Sequence, residues 1–225
     1  MTRVGHWAAA RFARCLVGRQ VWRGLALAPM VVVSFTVYAG AQIEEPLADS
    51  VRSALAAAVN EAAPPRPSFD TIEERLDFVR WLGTTGDRLK RRKSEHSTRI
   101  EFLEALWYES RRAGLEPELM LALVQIESGF RKYAVSKAGA RGYMQVMPFW
   151  ARLIGEGDPA RLFHMQTNLR FGCVILRHYL DMERGDLFLA LGRYNGSRGR
   201  AEYPNAVLAA RRIWMIERDA PPARK

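Results

Sequence analysis

The stretch that most restricts this chain is Pro117-Glu-Leu-Met-Leu-Ala-Leu-Val-Gln-Ile-Glu127, in which only Glu118, Gln125 and Glu127 are polar. Proline is pre-set for the first turn of a helix. A helix that is apolar on nearly every side cannot lie on a surface and has to be enclosed by other elements. Those elements read as further helices. Amphipathic stretches fall near 98–112, 148–154, 167–182, 187–194 and 204–217, between punctuation at Gly114, Gly139, Gly142, Gly155, Gly185 and Gly196. No alternating pattern long enough for a convincing strand accompanies them, and no internal repeat is evident. With 225 residues, 48% of them apolar, the chain has material for one ordinary core plus appendages. The expectation is a mainly α domain packed around residues 117–127.

The first 41 residues are of another kind. They carry Arg3, Arg11, Arg14, Arg19 and Arg23 with no Asp or Glu, then the apolar run Leu25 to Ala39, then Gly40-Ala41. A charged region, an apolar region and a small-residue site in that order make an export signal, with cleavage expected after Ala41. The run is shorter than the ~20 residues of a bilayer-spanning helix, although an uncleaved segment would act as an anchor. The formal charge of +10 falls to +5 once those five arginines are set aside, leaving a basic but ordinary surface. Cys15 and Cys173 lie on opposite sides of the cleavage point, so the mature chain has a single thiol and no internal disulfide. His6, His96, His164 and His178 have no metal-ligand spacing, and no metal site is expected.

Residues 42–67 are Ala-rich and end in Pro64-Pro-Arg-Pro67, the composition of a flexible linker, with room for a short helix over Val51 to Val59. Residues 68–96 read as a helical extension. There Ile72, Leu76, Val79 and Leu82 recur at helical spacing, followed by the basic run Arg88-Leu-Lys-Arg-Arg-Lys93. Such a run is ordinarily a solvated face. Its functional reading, a clamp on an anionic polymer, lacks the interleaved aromatics that single-stranded nucleic acid needs, and nucleic acid also conflicts with export.

Glu127 ends the apolar helix, before Ser128-Gly129. It is either a solvent-pointing terminus or a desolvated acid, and burial together with the negative end of the helix dipole favours the protonated form of a carboxyl group placed there. Downstream, Gly139-Ala-Arg-Gly-Tyr-Met-Gln-Val-Met-Pro148 is a loop with two glycines that leads to a Pro-initiated helix and presents Gln145 to a cleft. Arg193-Tyr-Asn-Gly196 closes a short apolar helix. Taken singly, Tyr194 could be plain core and Asn195-Gly196 a plain turn.

In order and spacing, Glu127-Ser-Gly-Phe130, Ser136-x-x-Gly139-Ala-x-Gly142-Tyr-Met-Gln-Val-Met-Pro148, Leu162-Phe163, Asn168-x-Arg170-x-Gly172 and Tyr194-Asn195 resemble the soluble-type lytic transglycosylases, relatives of goose-type lysozyme. The match spans about residues 97–215, and the domain is expected over 97–220. The resemblance implies a lysozyme-like fold and a periplasmic enzyme that cuts the glycan strands of peptidoglycan without a cofactor. It implies Glu127 as catalytic acid/base, Ser136 and Gln145 as groups orienting the substrate N-acetyl group and the acid, Met147 as a cleft contact, Tyr194 as a hydrogen-bonding partner near the carboxyl, and Asn195 as support for that turn. An uncleaved N-terminus would place the enzyme at the inner membrane. The sequence departs from the family at Tyr143, commonly Leu, at His164-Met165, commonly Asp-Pro, and at Arg193 and Gly196-Ser197, which flank the Tyr-Asn pair; these positions bear on the glycan subsites. Two other readings stand beside this one: a hydrolytic muramidase using a second acid, for which Asp158, Asp181, Glu183 and Glu202 occupy no matching position, and a wall-binding module without turnover.

Overall fold

The computed structural model describes residues 42–60 and 69–216. Their element order is α1 (Asp49–Asn60), α2 (Ile72–Leu89), α3 (His96–Arg112), α4 (Pro117–Ser128), α5 (Pro148–Ile154), a 3-10 turn (Pro159–Phe163), α6 (Met165–Met182), α7 (Leu187–Asn195) and α8 (Glu202–Trp214). Among the described residues there is no strand, only isolated bridges Val135–Arg141 and Arg141–Val146 in the loop before α5. The fold is mainly α, as expected. No helix of the described residues is long and apolar enough to cross a membrane, and the expected export segment lies outside them.

α4 is the central element. Leu119 to Val124 are all buried, because α8 and α3 cover its sides. Pro117 starts it and Gly129 ends it in the left-handed conformation at φ 58°, where a residue without Cβ carries no steric penalty. Phe130 follows at φ 67°, also left-handed and strained for a ring-bearing residue; its buried ring sits edge-on to Phe102 and Trp214. Packing of that ring holds the chain reversal that fixes the end of α4. α6 lies alongside α3 and α7, burying Leu169, Phe171, Ile175, Leu176 and the free thiol of Cys173, whose ionisation burial suppresses.

Two segments differ from the sequence reading. In α2, Ile72, Leu76 and Val79 are exposed, and the buried face carries Phe78, Trp81 and Leu89. Phe78 and Trp81 stack in a cluster with Trp107 of α3, so the larger aromatic surface wins the interior over the aliphatic stripe. The second is 42–60, expected as a flexible linker with room for a short helix over Val51 to Val59: the helix is there as α1, but the segment is packed on the domain. Gln42 is buried, α1 packs against α5 and α6, and its last carbonyls are held: Ala58 accepts from Arg112 at 2.5 Å and Val59 from Arg170 at 3.3 Å. Both arginines are paired with the buried Glu109.

The basic run is also spent on the core. Arg88 donates to the Ile213 and Met215 carbonyls at the end of α8, at 2.8 and 3.1 Å. Arg92 bonds Gln125 of α4 at 3.2 Å and lies over the Phe130 ring. Lys93 donates to the Tyr143 hydroxyl at 2.8 Å above the Phe102 and Tyr143 rings. Burial, helped by Lys132, lowers the Lys93 pKa, and burial pushes the Tyr143 hydroxyl up to about 12. The departure at Tyr143 thus has a local partner in the extension, which staples α2 to the domain.

Candidate active site

Glu127 stands in the last turn of α4, 4% exposed. Of the two readings the sequence left open, solvent-pointing terminus and sheltered acid, the second holds. Its Oε1 accepts a short hydrogen bond from the hydroxyl of Tyr203, which is buried in the first turn of α8. Ser128 turns its hydroxyl back onto the Val124 carbonyl at 3.2 Å, and the Ser128 carbonyl accepts from Arg131 at 2.9 Å, so both ends of the reversal are tied down.

Tyr194, fully buried in α7, donates to the Met144 carbonyl at 2.8 Å. Tyr203 thus supplies a hydrogen bond to the acid, while Tyr194 joins α7 to the loop. Both hydroxyls have pKa values raised well above the ordinary range, first by burial and then by the charge of Glu127.

The loop 134–147 is built by its own polar groups. Gly142, at φ 77°, closes against Asn168 and the Leu162 carbonyl so tightly that a Cβ there would lie 2.4 Å from Asn168 Nδ2. Asn168 is buried and satisfied on every side: Oδ1 accepts from Met144 N at 2.8 Å, and Nδ2 donates to the Arg141 and Leu162 carbonyls at 2.9 and 2.8 Å. Gly172 leaves the space that Met144 fills. Gln145, at φ 48° and 2% exposed, donates from Nε2 to the Ala134 and Gly142 carbonyls at 3.1 and 3.0 Å. Its carboxamide nitrogen serves the loop rather than pointing into open cleft. Ser136 Oγ accepts from Ala140 N at 3.1 Å, Met147 caps α5 half-buried, and Asn195 Nδ2 bonds Ser197 Oγ at 3.1 Å.

Of the other acids singled out by sequence, Glu202 is exposed in the first turn of α8, and the remaining three have separate work. Asp158 caps the 3-10 turn through Ala160 N, Asp181 pairs with Arg177, and Glu183 pairs with Arg193 and Arg198, which hold its carboxyl down to about 2. Cavities of about 340 and 510 Å³ border α1, and Glu127 lines neither.

Residues 105–212 match the family model described as "Transglycosylase SLT domain". The chain carries a transglycosylase SLT domain. Relatives of this SLT domain include the membrane-bound lytic murein transglycosylase C of Actinobacillus pleuropneumoniae serotype 5b, 36% identical over 84 residues, covering 34% of this chain and 23% of that protein. A transglycosylase of Enterobacteria phage PRD1 is 31% identical over 104 residues, covering 46% of this chain and 38% of its own length. The lytic murein transglycosylase C of Cronobacter sakazakii is 35% identical over 105 residues, 40% and 29% respectively. The chain thus spans between about a quarter and two fifths of the relatives it matches. Among solved structures, an inactive mutant of lytic transglycosylase Slt from Pseudomonas aeruginosa aligns at TM-score 0.45 and 22% identity, over 62% of this chain and 29% of that one.

Sequence reasoning missed Tyr203 and Gln42. Tyr203 lies within the SLT domain, and its position before Pro204 in a helical first turn was a usable signal, since a first-turn side chain of α8 is fixed by whatever helix α8 crosses. For Gln42 no local pattern exists.

Proposed function

We propose that this chain is a peptidoglycan lytic transglycosylase, cleaving the β-1,4 bond between N-acetylmuramic acid and N-acetylglucosamine without consuming water. The observation that carries the reading is Glu127, buried at the end of α4 and hydrogen-bonded by Tyr203, inside a matched SLT domain. Glu127 is the acid/base. Ser136, Gln145 and Met147 frame the loop side of the glycan cleft, and Tyr194 and Asn195 the α7 side. The domain needs no cofactor or metal for this chemistry.

In the first step the Glu127 carboxylic acid gives its proton to the glycosidic oxygen as the bond to muramyl C1 breaks. The resulting carboxylate then takes the proton of the muramyl C6 hydroxyl while that oxygen bonds to C1, closing a 1,6-anhydro ring. The proton returns to Glu127, and no water enters. An intramolecular hydroxyl replaces the second carboxylate that hydrolysis uses, the gain being one of proximity. The engagement of Asp158, Asp181 and Glu183 in caps and ion pairs, with Glu202 exposed, supports this one-acid mechanism over a muramidase. Acid/base assistance of this type contributes roughly 10²- to 10⁴-fold in rate.

The N-terminal segment supports export to the periplasm, with retention at the inner membrane if it stays uncleaved. The test of the catalytic assignment is Glu127→Gln, which keeps the shape and removes the transferable proton. Release of soluble muropeptides from isolated sacculi should be abolished with the thermal melt unchanged. Digestion at the wild-type rate would remove Glu127 from the mechanism.

A further inference from the structure

In residues 42–47, Gln42 is buried and Glu45 and Leu47 are half-buried, whereas Ile43, Glu44 and Pro46 are exposed. The innermost contact is chemically specific. Gln42, 4% exposed, accepts at Oε1 from Met147 N–H at 3.2 Å and donates from Nε2 to the Gln145 carbonyl at 3.5 Å. Gln145 and Met147 are the residues that frame the loop side of the cleft in the function proposed above. One C=O and one amide N–H engaging a backbone N–H and C=O is the pairing that an acetamido group makes, and every sugar of a peptidoglycan strand carries an acetamido group.

We infer that residues 42–47 are an autoinhibitory strap, with the Gln42 carboxamide seated as a surrogate for a substrate N-acetyl group on the Gln145 carbonyl and Met147 N–H of the loop proposed to frame the glycan cleft. The choice of ligand class rests on the peptidoglycan reading above. The strap has a second anchor, Glu45, whose carboxylate oxygens accept from Arg193 at 2.9 and 3.2 Å. Arg193 is one of the positions where this chain departs from the family pattern, and it directly precedes Tyr194 in α7. The departure therefore has a use: it ties the chain's own N-terminal segment over the Tyr194 end of the site. Beyond the strap, α1 is fixed by Arg112 and Arg170 on its last carbonyls, so the strap lifts from a fixed base.

Lifting is reversible because the segment has no helix or strand of its own, and its two polar anchors are a long hydrogen-bonded pair and a part-exposed ion pair. Glycan competes with Gln42 for the same two backbone groups. Substrate then binds only the lifted fraction, and its apparent affinity is reduced by that fraction. Set against the entropy of ordering the segment, a net gain equal to about one hydrogen bond corresponds to a closed state favoured by roughly three- to tenfold.

The test compares the whole chain with Gln42→Ala and Glu45→Gln, measuring calorimetric binding of N-acetylchitotetraose, kcat and KM on isolated sacculi, and the thermal melt. Gln42→Ala removes the surrogate; Glu45→Gln loosens the strap and leaves the surrogate intact. Both should bind the tetrasaccharide about three- to tenfold more tightly and lower KM by a similar factor, with kcat within twofold of wild type. Unchanged or weaker binding in both variants, with native melts, overturns the strap, as does absence of tetrasaccharide binding by every form. The two readings separate cleanly. Tighter binding without turnover by any form keeps the strap and sinks the enzyme; turnover by wild type with no gain in either variant keeps the enzyme and sinks the strap.

Discussion

Replacing Tyr203 by Phe deletes one oxygen from a ring that is 2% exposed and leaves the packing of α8 against α4 in place. What is lost is the hydrogen bond to Glu127 Oε1. Hydrogen bonds to a charged partner contribute about 1.5–3 kcal/mol. In the proposed mechanism the charge on Glu127 develops as the glycosidic bond breaks, so the bond strengthens along the reaction and its loss falls mainly on kcat. At about 1.4 kcal/mol per factor of ten, turnover of sacculi should drop roughly 10- to 150-fold. Tyr194→Phe makes a different cut. It strips the donor from the buried Met144 carbonyl, a loss of about 1–3 kcal/mol in stability, or about 2–4 °C in Tm for each kcal/mol, together with a rise in KM as the loop loosens. Initial rates on sacculi, resolved into kcat and KM and paired with thermal melts, separate the two. The reasoning is refuted if Tyr203→Phe keeps more than half the wild-type kcat while Tyr194→Phe loses more than tenfold at unchanged Tm, because that pattern would put Tyr194 on the acid.

Two further outcomes follow from the polar framework. Asn168→Ala orphans the buried Met144 N–H and the Leu162 carbonyl, while the Arg141 carbonyl keeps its bond from Val146 N–H, which should destabilise the protein by about 2–5 kcal/mol; an unfolding free energy lowered by less than about 1 kcal/mol would show that the loop does not depend on this residue. The carboxyls of Glu95, capping α3 through Ser97 and Thr98, and of Glu183, paired with Arg198 and Arg193, are both held down from 4.5 to about 2. A folded-state pKa below the unfolded one contributes stability above the unfolded value and loses it as pH falls, so Tm should decline from about pH 4.5 toward pH 2. Glu95→Gln should flatten part of that decline, and a Tm level across the interval would contradict it.

What the sequence disclosed and what it hid follow from the range of the interactions. α5 covers the residues its proline and glycine punctuation marks, Pro148–Ile154, because a first-turn Pro and the flanking turns act locally. α4 was legible as the centre because a helix without a polar face has one place to go. α2 misled because it carries two apolar stripes, and only contact with Trp107 decides which is buried. The tyrosine on the acid was hidden for a related reason. Tyr203 meets Glu127 across 76 residues of chain, and Gln42 meets Gln145 across 103, so both pairings are products of helix packing that no local spacing records. The basic run shows the same limit: as sequence it is charge, whereas in the fold Arg88 and Lys93 cap carbonyls and cover rings.

The central claim is that one sheltered carboxyl shuttles a proton while the substrate's own hydroxyl makes the new bond. Mass analysis of the muramyl ends released from sacculi in heavy-oxygen water tests it most directly. The account predicts 1,6-anhydro ends, one water lighter than reducing ends and free of the heavy isotope. Reducing ends carrying one heavy oxygen would contradict it.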